Sequence, residues 1–148
     1  MGRPMKNFLI TSAVLALALT ACGKGTAELS IGTVGETMAY DQTSLTVKTG
    51  QKVHLTLTNH ATSPAMKHNW VLVQPGKEAD VAAAGMTAGE AAGYVKSGDA
   101  DIIANTPLSQ PGGTVEVTFT APAAGTYPYI CTFPGHYMSM KGTLNVTN

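Results

Sequence analysis

The chain has 148 residues, 44% of them apolar and 12% charged, with a formal net charge of +0. That length suits one ordinary domain with a real core, and the lack of any Lys/Arg-rich run leaves no basic field for a phosphate backbone, so nucleic acid is not an expected partner. Sixteen glycines, eight prolines and frequent Thr and Val favour strands and tight turns over helices.

The first residues read as a processing signal. Arg3 and Lys6 precede an apolar run over 8–19 that is too short to span a bilayer comfortably. Leu19-Thr-Ala-Cys22 then resembles the lipobox of bacterial lipoproteins, in which the cysteine becomes the acylated N-terminus. The expected division is a signal peptide at 1–21, a lipidated N-terminus and tether at 22–30, and one domain at 31–148. The product is expected to be exported and membrane-anchored through Cys22, facing the periplasm or cell exterior; a soluble exported protein cut nearby is the alternative. Without acylation, Cys22 and Cys131 are free to pair as a disulfide. With it, Cys131 is the one thiol of the mature domain, a liability in an oxidising space unless buried or held by a metal. Loss of the signal leaves seven lysines against nine acids, a net charge of about −2.

Residues 28–34 alternate well enough for a first strand, with 38–40 continuing it after the Gly35 break. Residues 45–47 and 53–59 read as two strands joined by a Lys-Thr-Gly-Gln-Lys turn. In the second, Val53, Leu55 and Leu57 share one face while His54, Thr56 and Thr58 share the other. Residues 68–73 are the next expected strand, with Trp70 in the core. The Ala-rich stretch 79–92 predicts short helical turns packed as a flap against the sheets, weakened by Gly85 and Gly89. Further strands are expected at 101–104, 114–120, 126–130 and 142–147. Seven or eight short strands with one helical insertion indicate an antiparallel Greek-key β-sandwich.

Chemistry concentrates in Cys131-Thr-Phe-Pro-Gly-His136-Tyr-Met138-Ser-Met140. Cys131 ends a strand, four residues separate it from His136, and three more separate His136 from Met140; Pro134-Gly135 must turn the chain back so that the side chains converge. His68 opens a strand elsewhere and can reach the same point. Two imidazoles and a thiolate in a plane, with a weak thioether above, make a type 1 (blue) copper site that cycles between Cu(I) and Cu(II). Taken singly, Met138 and Met140 are equally readable as core filling and His68 as a structural histidine; His54 and His60 read as solvated.

At these residues the chain resembles the azurin and auracyanin branch of the cupredoxins, on Met66-Lys-His-Asn-Trp-Val-Leu72 and Cys131-Thr-Phe-Pro-Gly-His136 followed by Met140-Lys-Gly-Thr-Leu144. The resemblance implies one copper ion held by His68, Cys131 and His136 with Met140 axial. It also makes the Lys67 carbonyl, where azurins have glycine, a candidate fifth contact. Asn69 is expected to tie the His68 strand to the Cys131 loop and the Phe133 N–H to donate toward the thiolate. Met66, Pro134 and Met138 are expected to ring His136 as a docking patch.

The function expected is therefore a membrane-anchored electron shuttle. Its partners would be redox proteins met transiently, such as cytochromes or membrane oxidoreductases, and it would act as a monomer. A periplasmic copper chaperone or store is the alternative. An enzyme is not expected, because no second metal cluster or catalytic triad is evident.

Overall fold

A computed structural model describes residues 25–148 and, ahead of them, Gly2. Apart from Gly2, the expected signal peptide lies outside the described residues, and so do residues 22–24 of the expected tether, Cys22 among them; residues 27–30 of that tether belong instead to the first strand. Among the described residues, eight strands form two sheets. The first holds β1 (Ala27–Gly32), β3 (Lys52–Thr58) and β6 (Thr114–Thr120) in the order β1-β3-β6; the second holds β2 (Ser44–Lys48), β8 (Lys141–Thr147), β7 (Gly125–Ile130), β4 (Val71–Val73) and β5 (Ile102–Asn105) in the order β2-β8-β7-β4-β5. Most pairings are antiparallel as expected, but β1 runs parallel to β3 and β2 parallel to β8. Both parallel pairs join strands distant in sequence order, so long connections allow the shared direction.

The period-2 pattern is realised in β3, where Val53, Leu55 and Leu57 are fully buried between the sheets. They meet Trp70, Leu72, Tyr129, Leu144 and Val146 from the other layer, and Cys131 and Met140 belong to the same cluster. Strand β4 is buried on both faces. Its Leu72 faces this core, while Val71 and Val73 join Ile130 in a second cluster covered by Val81 and Ala82 of helix α1 (Glu78–Ala88). Covering that outer sheet face is what the helix is for.

The Ala-rich stretch is thus one helix of three turns followed, past Gly89, by a short 3-10 turn, α2 (Glu90–Ala92). Gly85, expected to weaken it, lets it dock. A Cβ built there would lie 2.1 Å from the Tyr94 carbonyl oxygen, so only glycine permits the approach.

The strand expected over 68–73 is shorter than the sequence suggests. His68 makes only an isolated bridge to Ser109, with N–H to O distances of 3.1 and 2.7 Å in the two directions. The ladder stops because Asn69 spends its backbone elsewhere: its carbonyl accepts the Tyr40 hydroxyl at 2.5 Å, and its N–H serves the Cys131 sulfur. The continuation expected at 38–40 is likewise a single bridge, Thr33 to Tyr40.

Candidate metal centre

Strands β7 and β8 are antiparallel neighbours, so residues 131–140 leave one and enter the next. The Cys131 N–H closes this loop on the Met140 carbonyl at 3.0 Å. Inside it, Phe133-Pro134-Gly135-His136 forms a type II turn: the His136 N–H donates to the Phe133 carbonyl at 3.0 Å, Pro134 presets the second position, and Gly135 supplies the positive φ of 84° that the third requires. The Met140 N–H then bonds the His136 carbonyl at 2.8 Å. These local bonds bring Cys131, His136 and Met140 to one end of the core. Cys131 and Met140 are fully buried and His136 is 5% exposed, whereas Met138 is 66% exposed.

His68 arrives from the other side of the site. The Cys131 Sγ lies 3.9 Å from His68 Nδ1 and 3.7 Å from His136 Nδ1, and the three donor atoms fall within 4.8 Å of one another. Donors directed to a triangle around one ion, with bonds of about 2.0–2.3 Å, stand roughly 3.5–4 Å apart, so the spacing fits a single metal. His68 is wholly buried and turns its Nδ1 to the sulfur, so an ion between them would take up the Nδ1 lone pair. Its Nε2, on the other side of the ring, has no hydrogen-bond partner among the described residues.

Burial, with His136 close by, pushes the His68 imidazole down to about 4, and burial lowers His136 as well. Both are held neutral, the form that binds metal. Burial pushes the Cys131 thiol up to about 11, opposed by the backbone N–H groups of Asn69 and Phe133. A bound cation reverses that balance and takes the thiol as thiolate. One thiolate, one thioether and two imidazoles are a donor set soft enough for copper.

Residues 27–147 match the family described as copper binding proteins, plastocyanin/azurin family. The chain belongs to this family. It is 45% identical to auracyanin-A of Chloroflexus aurantiacus over 148 residues, covering 89% of this chain and 90% of that protein. An azurin of Achromobacter denitrificans is 35% identical over 150 residues, covering 95% and 100%. The solved structure of auracyanin A, a "blue" copper protein of Chloroflexus aurantiacus, superposes with a TM-score of 0.78 at 50% identity, covering 83% of this chain and all of that one. In this cupredoxin, His68, Cys131, His136 and Met140 form the type 1 copper site.

Around the cupredoxin ligands, Asn69 carries more than one link. Its side-chain oxygen accepts the Thr132 N–H at 2.9 Å, and its side-chain N–H groups reach the Thr132 hydroxyl at 2.8 Å and the Gly93 carbonyl at 2.9 Å. The first two bonds join the His68 segment to the ligand loop. The third joins it to the flap, which no motif announces. A second N–H donor to the sulfur, from the Asn69 backbone, also goes unseen in the sequence, as does the Tyr40 hydroxyl beneath it. Phe133 packs between Tyr94 of the flap and the His136 ring, with centroid distances of 5.2 and 4.7 Å.

Lys67 pairs with Glu90 of α2, a second tie from flap to ligand segment. Met66 and Pro134 are half-buried. His54 is less free than its outward face suggests: it lies 2.7 Å from Glu28 and 3.4 Å from Glu116 on the neighbouring strands, which raise its pKa. His60 is exposed.

Proposed function

We propose that this cupredoxin carries single electrons between exported redox proteins while anchored to a membrane through acylated Cys22. The observation that carries the reading is the convergence of the His68 and His136 Nδ1 atoms on the Cys131 sulfur inside a rigid, hydrogen-bonded frame. One-electron cycling between Cu(I) and Cu(II) is the chemistry that copper supplies there. The chain contributes the rest. Asn69 locks the two ligand-bearing segments together, so the donors keep their places in either oxidation state, and the N–H groups of Asn69 and Phe133 spread charge off the sulfur. The Lys67 carbonyl stands next to His68 as a candidate fifth contact.

His136 is the ligand that reaches the surface, and half-buried Met66 and Pro134 with exposed Met138 are the patch on which partners dock. A groove beside it, between α1 and the ligand loop, is lined by Ala79, Ala83, Met86, Phe133 and Pro134 and by no charged side chain. An uncharged, shallow surface suits encounters that end quickly after transfer. The test is a redox titration of the copper-loaded protein. A single reversible one-electron step without loss of metal supports a carrier, and copper release on reduction supports the chaperone reading instead. For the anchor, the mass of the mature N-terminus decides: an unmodified Cys22 contradicts it.

A further inference from the structure

The copper ligands and the N-terminal stem lie at opposite ends of the sandwich. Cys131, His136 and Met140 occupy the loop where β7 ends and β8 begins. Strand β2 runs parallel to β8 and ends at Lys48, paired with Thr147, so the turn after it lies at the far end. Strand β1, parallel to β3, starts there too, with Ala27 beside Val53. The Gln51 side-chain amide donates to the Gly25 carbonyl at 2.9 Å and fastens the stem to that turn. A seven-residue β8, rising about 3.3 Å per residue, puts roughly 20 Å between this end and the ligands.

The turn is also basic. Lys48 and Lys52 flank it, both exposed, and neither has an acidic partner among the described residues. Between Cys22 and Ala27 the chain can reach at most about 17 Å even when fully extended. Such a short stem leaves this end as the one held near a lipid surface.

We infer that the protein stands on its own membrane on the Lys48–Lys52 turn, with the two lysines against anionic headgroups and the copper edge facing the aqueous compartment. This rests on the anchor proposed above. Each lysine near an anionic surface favours the oriented state by about five-fold. Electron tunnelling falls off steeply with distance, so the partner that fits is one whose redox group stands clear of the bilayer. A centre flush with the same membrane does not fit.

Hydrogen exchange on the full lipidated, copper-loaded protein tests it, comparing vesicles of phosphatidylglycerol and phosphatidylcholine with detergent. Amides of residues 48–52 and 121–125 are expected to slow about ten-fold on the vesicles, and those of 133–138 to stay unchanged. Slowing at 133–138, or none anywhere, overturns the orientation. The double variant Lys48→Glu with Lys52→Glu should keep its copper absorption and lose the slowing; full retention overturns the role of the lysines. The N-terminal peptide from the same digest reports acylation. An unmodified Cys22 removes the anchor and the orientation with it, whereas an acylated Cys22 with the wrong exchange pattern sinks the orientation alone.

Discussion

The two segments that supply ligands are built in opposite ways. Residues 131–140 bring three ligands and are held by bonds within the loop: Cys131 to Met140, His136 to Phe133 and Met140 to His136. His68 comes alone, on a segment fixed by partners far away in sequence: Ser109 and Thr106 at its backbone, Tyr40 on the Asn69 carbonyl, and Thr132 and Gly93 on the Asn69 side chain. The site is thus half local motif and half tertiary construction. Damage to either half should tell them apart.

The largest effect is expected at their junction. Asn69→Ala removes three hydrogen bonds and leaves the buried Thr132 N–H unpaired, so the metal-free protein should lose about 3 kcal/mol in chemical denaturation. The copper spectrum should shift too, because the His68 segment is no longer tied to the loop. If stability and spectrum are both unchanged, the two halves are not coupled through this side chain. Gly85→Ala probes the flap without touching a ligand. The added methyl meets the Tyr94 backbone at 2.1 Å, and overpacking of that kind costs about 2 kcal/mol. Here the melting temperature should fall while the absorption maximum stays in place.

Acidification loads both halves in the same direction, since burial depresses the His68 and the His136 imidazoles alike. The His68 pKa is depressed to about 4, so the unfolded chain takes up that proton first. The metal-free protein should therefore lose stability as pH falls through about 6.5 toward 4. Copper-loaded protein should hold its stability further into acid, because the metal occupies the ring nitrogen. Parallel denaturation series at several pH values, with and without copper, measure the difference. The smallest effect is electrostatic: Lys67→Gln should lower the reduction potential and Glu90→Gln should raise it, each by roughly 40 mV or less, since the pair is partly exposed and solvent screens it. Shifts of the same sign in both variants would mean that the pair acts through backbone position.

This division also explains what could be read from residues alone. The turn of the ligand loop was legible because its determinants are contiguous, Pro134-Gly135 fixing it; the choice of Met140 over Met138 came only from the resemblance, and the structure agrees by burying Met140 and exposing Met138. The strands followed from alternation, as in β3, and so did the two-layer sandwich. What the sequence hid is whatever depends on one segment's backbone meeting another. The side-chain tie of Asn69 to the ligand loop was expected, but not that its carbonyl is claimed by Tyr40 and its N–H by Cys131, which ends β4 before it reaches His68. Gly85 looks like a helix breaker until Tyr94 is placed against it. Lys67 and Glu90 have no shared motif, and their pairing comes only with the flap in position.

The central claim is that Cys131, between two neutral imidazoles, binds copper as a thiolate. Absorption of the Cu(II)-loaded protein tests it most directly: an intense band at about 600 nm, the thiolate-to-copper charge transfer, is expected, and it should vanish in Cys131→Ser. A colourless loaded protein, or a band that survives the substitution, would contradict the account.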